Sequence, residues 1–195
     1  MLRNLDSKLS HLSQSQRQDL EKLLLEFEHL FPDVPSRTDE IYHDLDVGNA
    51  DPVKQHPYRL IQANNNTSRK RLSICSRMTS LSRVTVAGAL PVYLLVPKPD
   101  GTYRMCKDYR KVNSVTKTDT FPIPRMEDCI DKVGKAKHVT KFDFLKGFWQ
   151  VPLTERAKEV SAFVTPHGLY QYKVIPFGMK NSPASFQRQQ SHCGS

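Results

Sequence analysis

The chain is poor in the residues that staple or anchor a protein. Its four cysteines, Cys75, Cys106, Cys129 and Cys193, stand far apart. No C-x-x-C pair occurs and no histidine stands at zinc-ligand spacing, which argues against a structural metal or a disulfide framework and for reduced intracellular thiols. No N-terminal apolar run resembles a signal peptide, and no apolar stretch is long enough for a bilayer, so a cytosolic or nuclear setting with no membrane partner is expected. Apolar residues make up 38% of the 195, lean for a compact globule. That length suits one ordinary domain, or a linker plus part of a larger one. Acids are scarce as well: 20 Asp and Glu against 29 Lys and Arg leave a net charge of +9. The balance favours a polyanionic partner, nucleic acid before membrane, although a basic soluble protein without such a partner would share it. Between Ile61 and Leu90 the scarcity is complete, with Arg69, Lys70, Arg71, Arg77 and Arg83 facing no Asp or Glu.

Patterned segments lie on either side of that stretch. In 13–31, Leu20, Leu23, Leu24, Phe27, Leu30 and Phe31 recur at three- and four-residue steps, which predicts a helix with one apolar face. Ser13 and Gln16 form a capping box at its start, and Pro32 blocks continuation. The face is expected to pack on a neighbouring part of the chain, with docking to a partner as the other reading. From Pro32 to Pro57 prolines and scattered acids mark a connector. Leu94–Val96, the Pro99-Asp-Gly101 turn and Thr102–Lys107 predict a hairpin. Pro124 opens a helix on which Met126, Cys129, Ile130 and Val133 share a face, with Gly134 as the stop. Val139–Phe144 reads as a strand. Ala162–Val164 and Leu169–Val174 flank Pro166-His-Gly168 as a second hairpin, and Ser182-Pro183 opens a final helix. Strands and helices mix without βα alternation, so the fold class is α+β.

Three runs carry the chemistry: Lys141-Phe-Asp-Phe-Leu-Lys-Gly-Phe-Trp-Gln150, Phe163-Val-Thr-Pro-His-Gly-Leu-Tyr170, and Ile175-Pro-Phe-Gly-Met-Lys-Asn-Ser-Pro-Ala-Ser-Phe-Gln187. In order and spacing they resemble the palm of a reverse transcriptase, most closely the gypsy class of long-terminal-repeat retrotransposons. His43-Asp-Leu-Asp-Val-Gly48 and Gln55-His-Pro-Tyr-Arg59 resemble the junction between protease and polymerase in such polyproteins. The resemblance implies the fingers and partial palm of a right-hand polymerase in 94–195. An N-terminal helix and connector precede it in 1–57, and 58–93 is an atypical basic segment.

The resemblance also implies roles. Asp143 is the first palm aspartate, a catalytic carboxylate and magnesium ligand, with the Phe144 carbonyl beside it. A lone aspartate near a strand end is otherwise a turn or cap residue; the surrounding Phe-Asp-Phe-Leu-x-Gly-Phe-x-Gln pattern sets this one apart. Phe148 matches the gate beneath the incoming sugar, where a ring leaves no room for a 2′-hydroxyl; core packing is the plainer reading of it. Lys98 and Arg104 sit on a fingers hairpin that folds over the triphosphate, where a guanidinium grips phosphate oxygens in pairs. Arg110 follows as a template contact. Phe177 and Gly178 form the turn against nucleotide and template, with a stacking face and close backbone approach. Without the resemblance these read as a solvated basic hairpin and a chain reversal.

The implied partners are an RNA template, a DNA primer, deoxynucleoside triphosphates and the rest of a Pol polyprotein (protease, ribonuclease H and integrase). The family's paired aspartates do not occur in these residues, so no polymerisation is expected from this chain alone. A non-catalytic nucleic-acid-binding fragment and a decayed element product are the alternatives. Segment 61–93 departs from the family. As written it is a basic, Ser/Thr-rich arm able to contact phosphates. Back-translated with codons chosen among the degenerate ones and read two nucleotides along, it can give a run ending KEVEYMLQNDIAEPSNSSWSSPC, which resembles the acidic helix and loop before the fingers hairpin. The expectation is therefore a shifted frame between about Leu60 and Tyr93. The tail after Arg188 also loses the family pattern.

Overall fold

The computed structural model describes residues 9–53, 62–78, 80–85, 91–134, 136–137, 139 and 143–192. The backbone forms two compact units, Met1–Ser36 and Arg37–Ser195. In the first, helix α1 spans Gln14–Glu26, followed by a single 3-10 turn at Glu28–Leu30. The capping box is present: Gln16 N–H donates to Ser13 Oγ at 3.3 Å and Ser13 N–H to Gln16 Oε1 at 3.1 Å. The expected packing of its apolar face is not found, since no residue of α1 is buried. Thirteen helical residues with a capped start hold the backbone, while Leu20 and Leu24 are half-buried and Leu23 and Leu25 open to solvent.

In the second unit α2 spans Gln62–Arg77, β1 Leu81–Val84, β2 Val92–Pro97 and β3 Tyr103–Asp108. Short helix α3 covers Arg110–Val115 and α4 Met126–Val133; α5 is Glu155–Val160, β4 Phe163–Thr165, β5 Gly168–Tyr172 and α6 Ser182–His192. The sheet runs β1-β5-β4-β2-β3. Both hairpins are antiparallel, and they meet where β2 lies parallel to β4 through the pair Val92 and Val164.

Turn chemistry accounts for both hairpins. Gly101 sits at φ +73 and Gly168 at φ +122, backbone that favours glycine. Asp100 Oδ1 accepts from Thr102 N–H at 2.9 Å and Thr102 Oγ1 at 2.6 Å, closing the first turn. The sheet's inner face carries Tyr93, Phe163, Tyr170 and Tyr172, with Phe163 fully buried and 5.6 Å from the Tyr172 ring. Against them lies Lys107, whose amine meets the Tyr172 hydroxyl and both rings, and burial pushes its pKa down to about 7.

Three sequence expectations change. Segment 62–84 as written is no arm: Leu72, Cys75 and Leu81 enter the core, and β1 pairs with β5. The strand expected at Val139–Phe144 is absent among its described members, Val139, Asp143 and Phe144, which have no partner strand in the described sheet; 140–142 lie outside the described residues. Pro124 precedes the Arg125 N-cap of α4 instead of opening the helix. The shared face of α4 is uncovered among the described residues, with Met126 75% and Ile130 61% exposed.

The connector is woven into the fold. His43 and Leu45 are fully buried, and His43 forms an isolated bridge with Leu153. Asp44 pairs with Arg156 and Thr154, and Asp46 with Lys117 at 2.6 Å. His43 Nδ1 lies 2.7 Å from Ser185 Oγ on α6. Residues Gln55–Arg59 lie outside the described residues. Among the described residues, no helix is long and apolar enough to cross a membrane.

Candidate functional site

Asp143 is exposed on the segment leading into a tight turn. Lys146 there adopts φ +50, left-handed for a residue with a side chain, and Gly147–Gln150 follow as a 3-10 turn. That turn brings Phe148 inward. Its ring lies 5.4 Å from Phe186 of α6, edge to face, and 5.3 Å from Phe177. Phe144 meets the other side of Phe186 at 6.2 Å, again edge to face. The structure thus brings Phe144 and Phe148 onto Phe186, and Phe177 onto Phe148, while Asp143 makes no ring contact or hydrogen bond among the described residues.

Gly147 makes this closeness possible. A Cβ there would stand 2.7 Å from Phe186 Cζ, so the ring would have to move. Gly147→Ala is expected to cost about 1–3 kcal/mol by overpacking. Urea unfolding of Gly147→Ala, Phe186→Leu and the double variant checks this. The double variant should recover part of the loss, and strict additivity would refute the wedge.

The Pro176-Phe-Gly178 turn is bolted down from a distance. Gly178 has φ +89, and a Cβ built on it would meet nothing within 4 Å, so the space before it is open. Phe177 is 62% exposed. Asn113 of α3 donates to Gly178 O and accepts from Lys180 N–H, both at 2.9 Å. Asn181, at φ +68, reaches Lys117 O and accepts from Asp119 N–H. Arg188 grips both carboxylate oxygens of Asp119 at 3.0 and 2.8 Å and covers the Phe121 ring at 4.7 Å. Burial alone would raise the Asp119 pKa, but hydrogen bonds from Arg188 and the Phe121 N–H bring it below the usual range.

Sequence reasoning missed Asn113, Asp119 and Arg188, and held Asn181 only as a member of the Ile175–Gln187 run. Their partners are 62 to 69 positions away.

The basic residues sit on and after the first hairpin. Lys98 follows β2, 3.9 Å from Asp100. Arg104 is exposed on β3 opposite Val96. Arg110, expected as a template contact, is exposed but engaged: its Nε and Nη2 grip Asp108 at 2.8 and 2.6 Å, and this pairing holds the Asp108 carboxyl low. Among the described residues no hydrogen bond or ring contact joins Lys98 or Arg104 to the Phe148 cluster. No group of three metal-ligating side chains occurs among them either. One exposed carboxylate, Asp143, with the neighbouring Phe144 carbonyl is fewer oxygen donors than a hard cation takes.

Residues 96–192 match the family described as reverse transcriptase (RNA-dependent DNA polymerase). Those residues are part of a reverse transcriptase domain. The chain is 31% identical over 188 residues to the retrovirus-related Pol polyprotein from transposon 297 of Drosophila melanogaster, covering 93% of this chain and 18% of that protein. It spans less than a fifth of the length of the Drosophila transposon polyproteins it matches. The fold is similar to that of a quarter of the prototype foamy virus protease–reverse transcriptase: TM-score 0.79, 25% identity, 93% of this chain and 25% of that one. The foamy viral enzyme solved with an RNA/DNA hybrid gives 0.75 at 21% identity over 93% of this chain and 25% of that one. The fold is therefore α+β, of the right-hand polymerase kind, and the segment is a fragment of a reverse transcriptase domain with retrotransposon relatives.

Proposed function

We propose that the reverse transcriptase segment serves as fingers and partial palm of a gypsy-class RNA-directed DNA polymerase within a Pol polyprotein that also carries protease, ribonuclease H and integrase. The observation that carries this reading is the contact of the Phe148 ring, on the turn that follows Asp143, with Phe177, whose chain neighbour Gly178 faces open space. In it, Phe148 shapes the sugar pocket, Phe177 and Gly178 receive the base pair, and Lys98 and Arg104 take the triphosphate. Arg110 meets the template by exchanging Asp108 for a phosphate. Asp143 and the Phe144 carbonyl hold magnesium together with carboxylates outside this sequence, which contains no adjacent aspartate pair. The proposed division is 1–57, 58–93 and 94–195, and sequencing the transcript across codons 60–93 distinguishes the written frame from the shifted one.

Affinity of the 195-residue chain for an RNA/DNA hybrid tests the reading. Binding should weaken as salt rises from 50 to 200 mM, and Arg104→Gln should flatten that slope by about one counterion. A hybrid that does not bind, or binds without salt dependence, refutes nucleic-acid engagement by this chain.

A further inference from the structure

A second cluster of basic residues, none of them in the set above, lines a cavity of about 490 Å³ between α2, β1 and the β4–β5 turn. Its polar lining is Arg69, Ser73, Ser76, Arg83, His167 and Tyr170. Arg83 donates to His167 O and to the Tyr170 hydroxyl, both at 3.3 Å, and its guanidinium lies over the Tyr170 ring at 5.6 Å. Arg69 Nε donates to His167 Nδ1 at 3.4 Å. Neither guanidinium has a carboxylate partner among the described residues.

The Arg69 bond has a chemical consequence. With Nδ1 accepting, the ring proton of neutral His167 belongs on Nε2. That atom is closed to solvent and has no partner among the described residues, so His167 meets the cavity's cations through Nδ1 and its carbonyl. Two guanidiniums and two serine hydroxyls form a set dominated by donors, with no acid in the lining. Such a set selects an anion with several oxygens, and a phosphoryl group offers three. The volume falls among small-ligand pockets and exceeds what a bare phosphate fills.

We propose that this cavity binds the phosphate of a nucleotide, with Arg69 and Arg83 on its oxygens and His167 holding the two guanidiniums in place. The site belongs to the chain as written and does not depend on the polymerase reading. The phosphate can come from a free nucleotide or from a nucleic-acid backbone.

The test titrates the whole 195-residue chain with inorganic phosphate, AMP and a twelve-residue oligothymidylate at low salt, following binding by calorimetry. Arg69→Gln and Arg83→Gln are each expected to weaken binding roughly tenfold, the size of one charge-assisted contact. Arg69→Lys and Arg83→Lys should retain part of it. Melting curves confirm that the variants fold, and Arg69, exposed on α2, can change without touching the core. A loss seen with AMP and phosphate assigns the site to free nucleotides. A loss confined to the oligothymidylate assigns it to the backbone. Absence of binding by all three probes, or equal binding by wild type and folded variants, overturns the proposal.

Discussion

Asp143→Asn in the intact polymerase is expected to lower RNA-templated incorporation by a thousandfold or more, of the order of several kcal/mol of transition-state stabilisation. The amide keeps the size of the side chain and removes its charge. Asp143 is exposed and makes no hydrogen bond among the described residues, so the substitution should leave folding intact. A divalent ion in such a site neutralises charge building on the phosphates, and a neutral amide contributes little to holding it. Retention of more than a tenth of the activity would remove Asp143 from the catalytic set. The companion variant is Phe148→Ala. Its ring is wedged between Phe177 and Phe186, and under the proposed sugar-pocket role deleting it opens space for a 2′-hydroxyl. Discrimination between deoxy- and ribonucleotides should fall about 10- to 200-fold, the range that one steric feature supplies. Primer extension with each sugar reads it directly, and an unchanged ratio would return Phe148 to ordinary core packing.

The second large effect is on acid stability. Burial lowers the His43 pKa from 6.5 to about 4, against the upward pull of Asp44 and Asp119. Between those values the unfolded chain takes up a proton that the folded chain refuses. Stability is therefore fully present above pH 6.5 and is lost as pH falls toward 4. The shift corresponds to about 3 kcal/mol over that window, a large part of what a typical domain has. Asp44, Asp108 and Asp119, all held below the usual carboxylate range, extend the loss to lower pH. Urea unfolding at unit steps from pH 7 to 4 should show the fall, and His43→Gln should flatten it. If the two proteins lose stability in parallel, His43 is not the titrating group.

Much of the candidate site was legible because its signals are local. Pro99-Asp-Gly101 dictates a turn through Gly101 and the Asp100 side chain, and the Ser13–Gln16 box announces a helix start. Phe148, Phe177 and Asp143 sit in motifs whose order alone is specific. What stayed hidden depends on distance. Asn113 clamps Gly178 across 65 positions, and such a bond leaves no periodicity to read. Residues 62–84 defeated pattern reading because only Leu72, Cys75 and Leu81 enter the core from a polar, basic run, so tertiary packing overrides composition. The connector is different: His43, Leu45 and Val47 alternate with Asp44 and Asp46, a two-residue period that points inward and outward. That alternation was available and marks the stretch as part of the fold.

The strand order also dictates how the chain must assemble. β2 and β3 close over a short turn, as do β4 and β5, so each hairpin can form within microseconds. β1 has no such neighbour in sequence. Val84 pairs with Leu169, 85 positions later, and that loop must close before any of its hydrogen bonds form. Parallel pairing of β2 with β4 joins the two hairpins through the single step at Val92 and Val164. On the ribosome, α2 and β1 emerge early and wait for β5. Until β5 arrives, β1 lacks the strand it pairs with, and Leu81 lacks the Tyr172 position it faces.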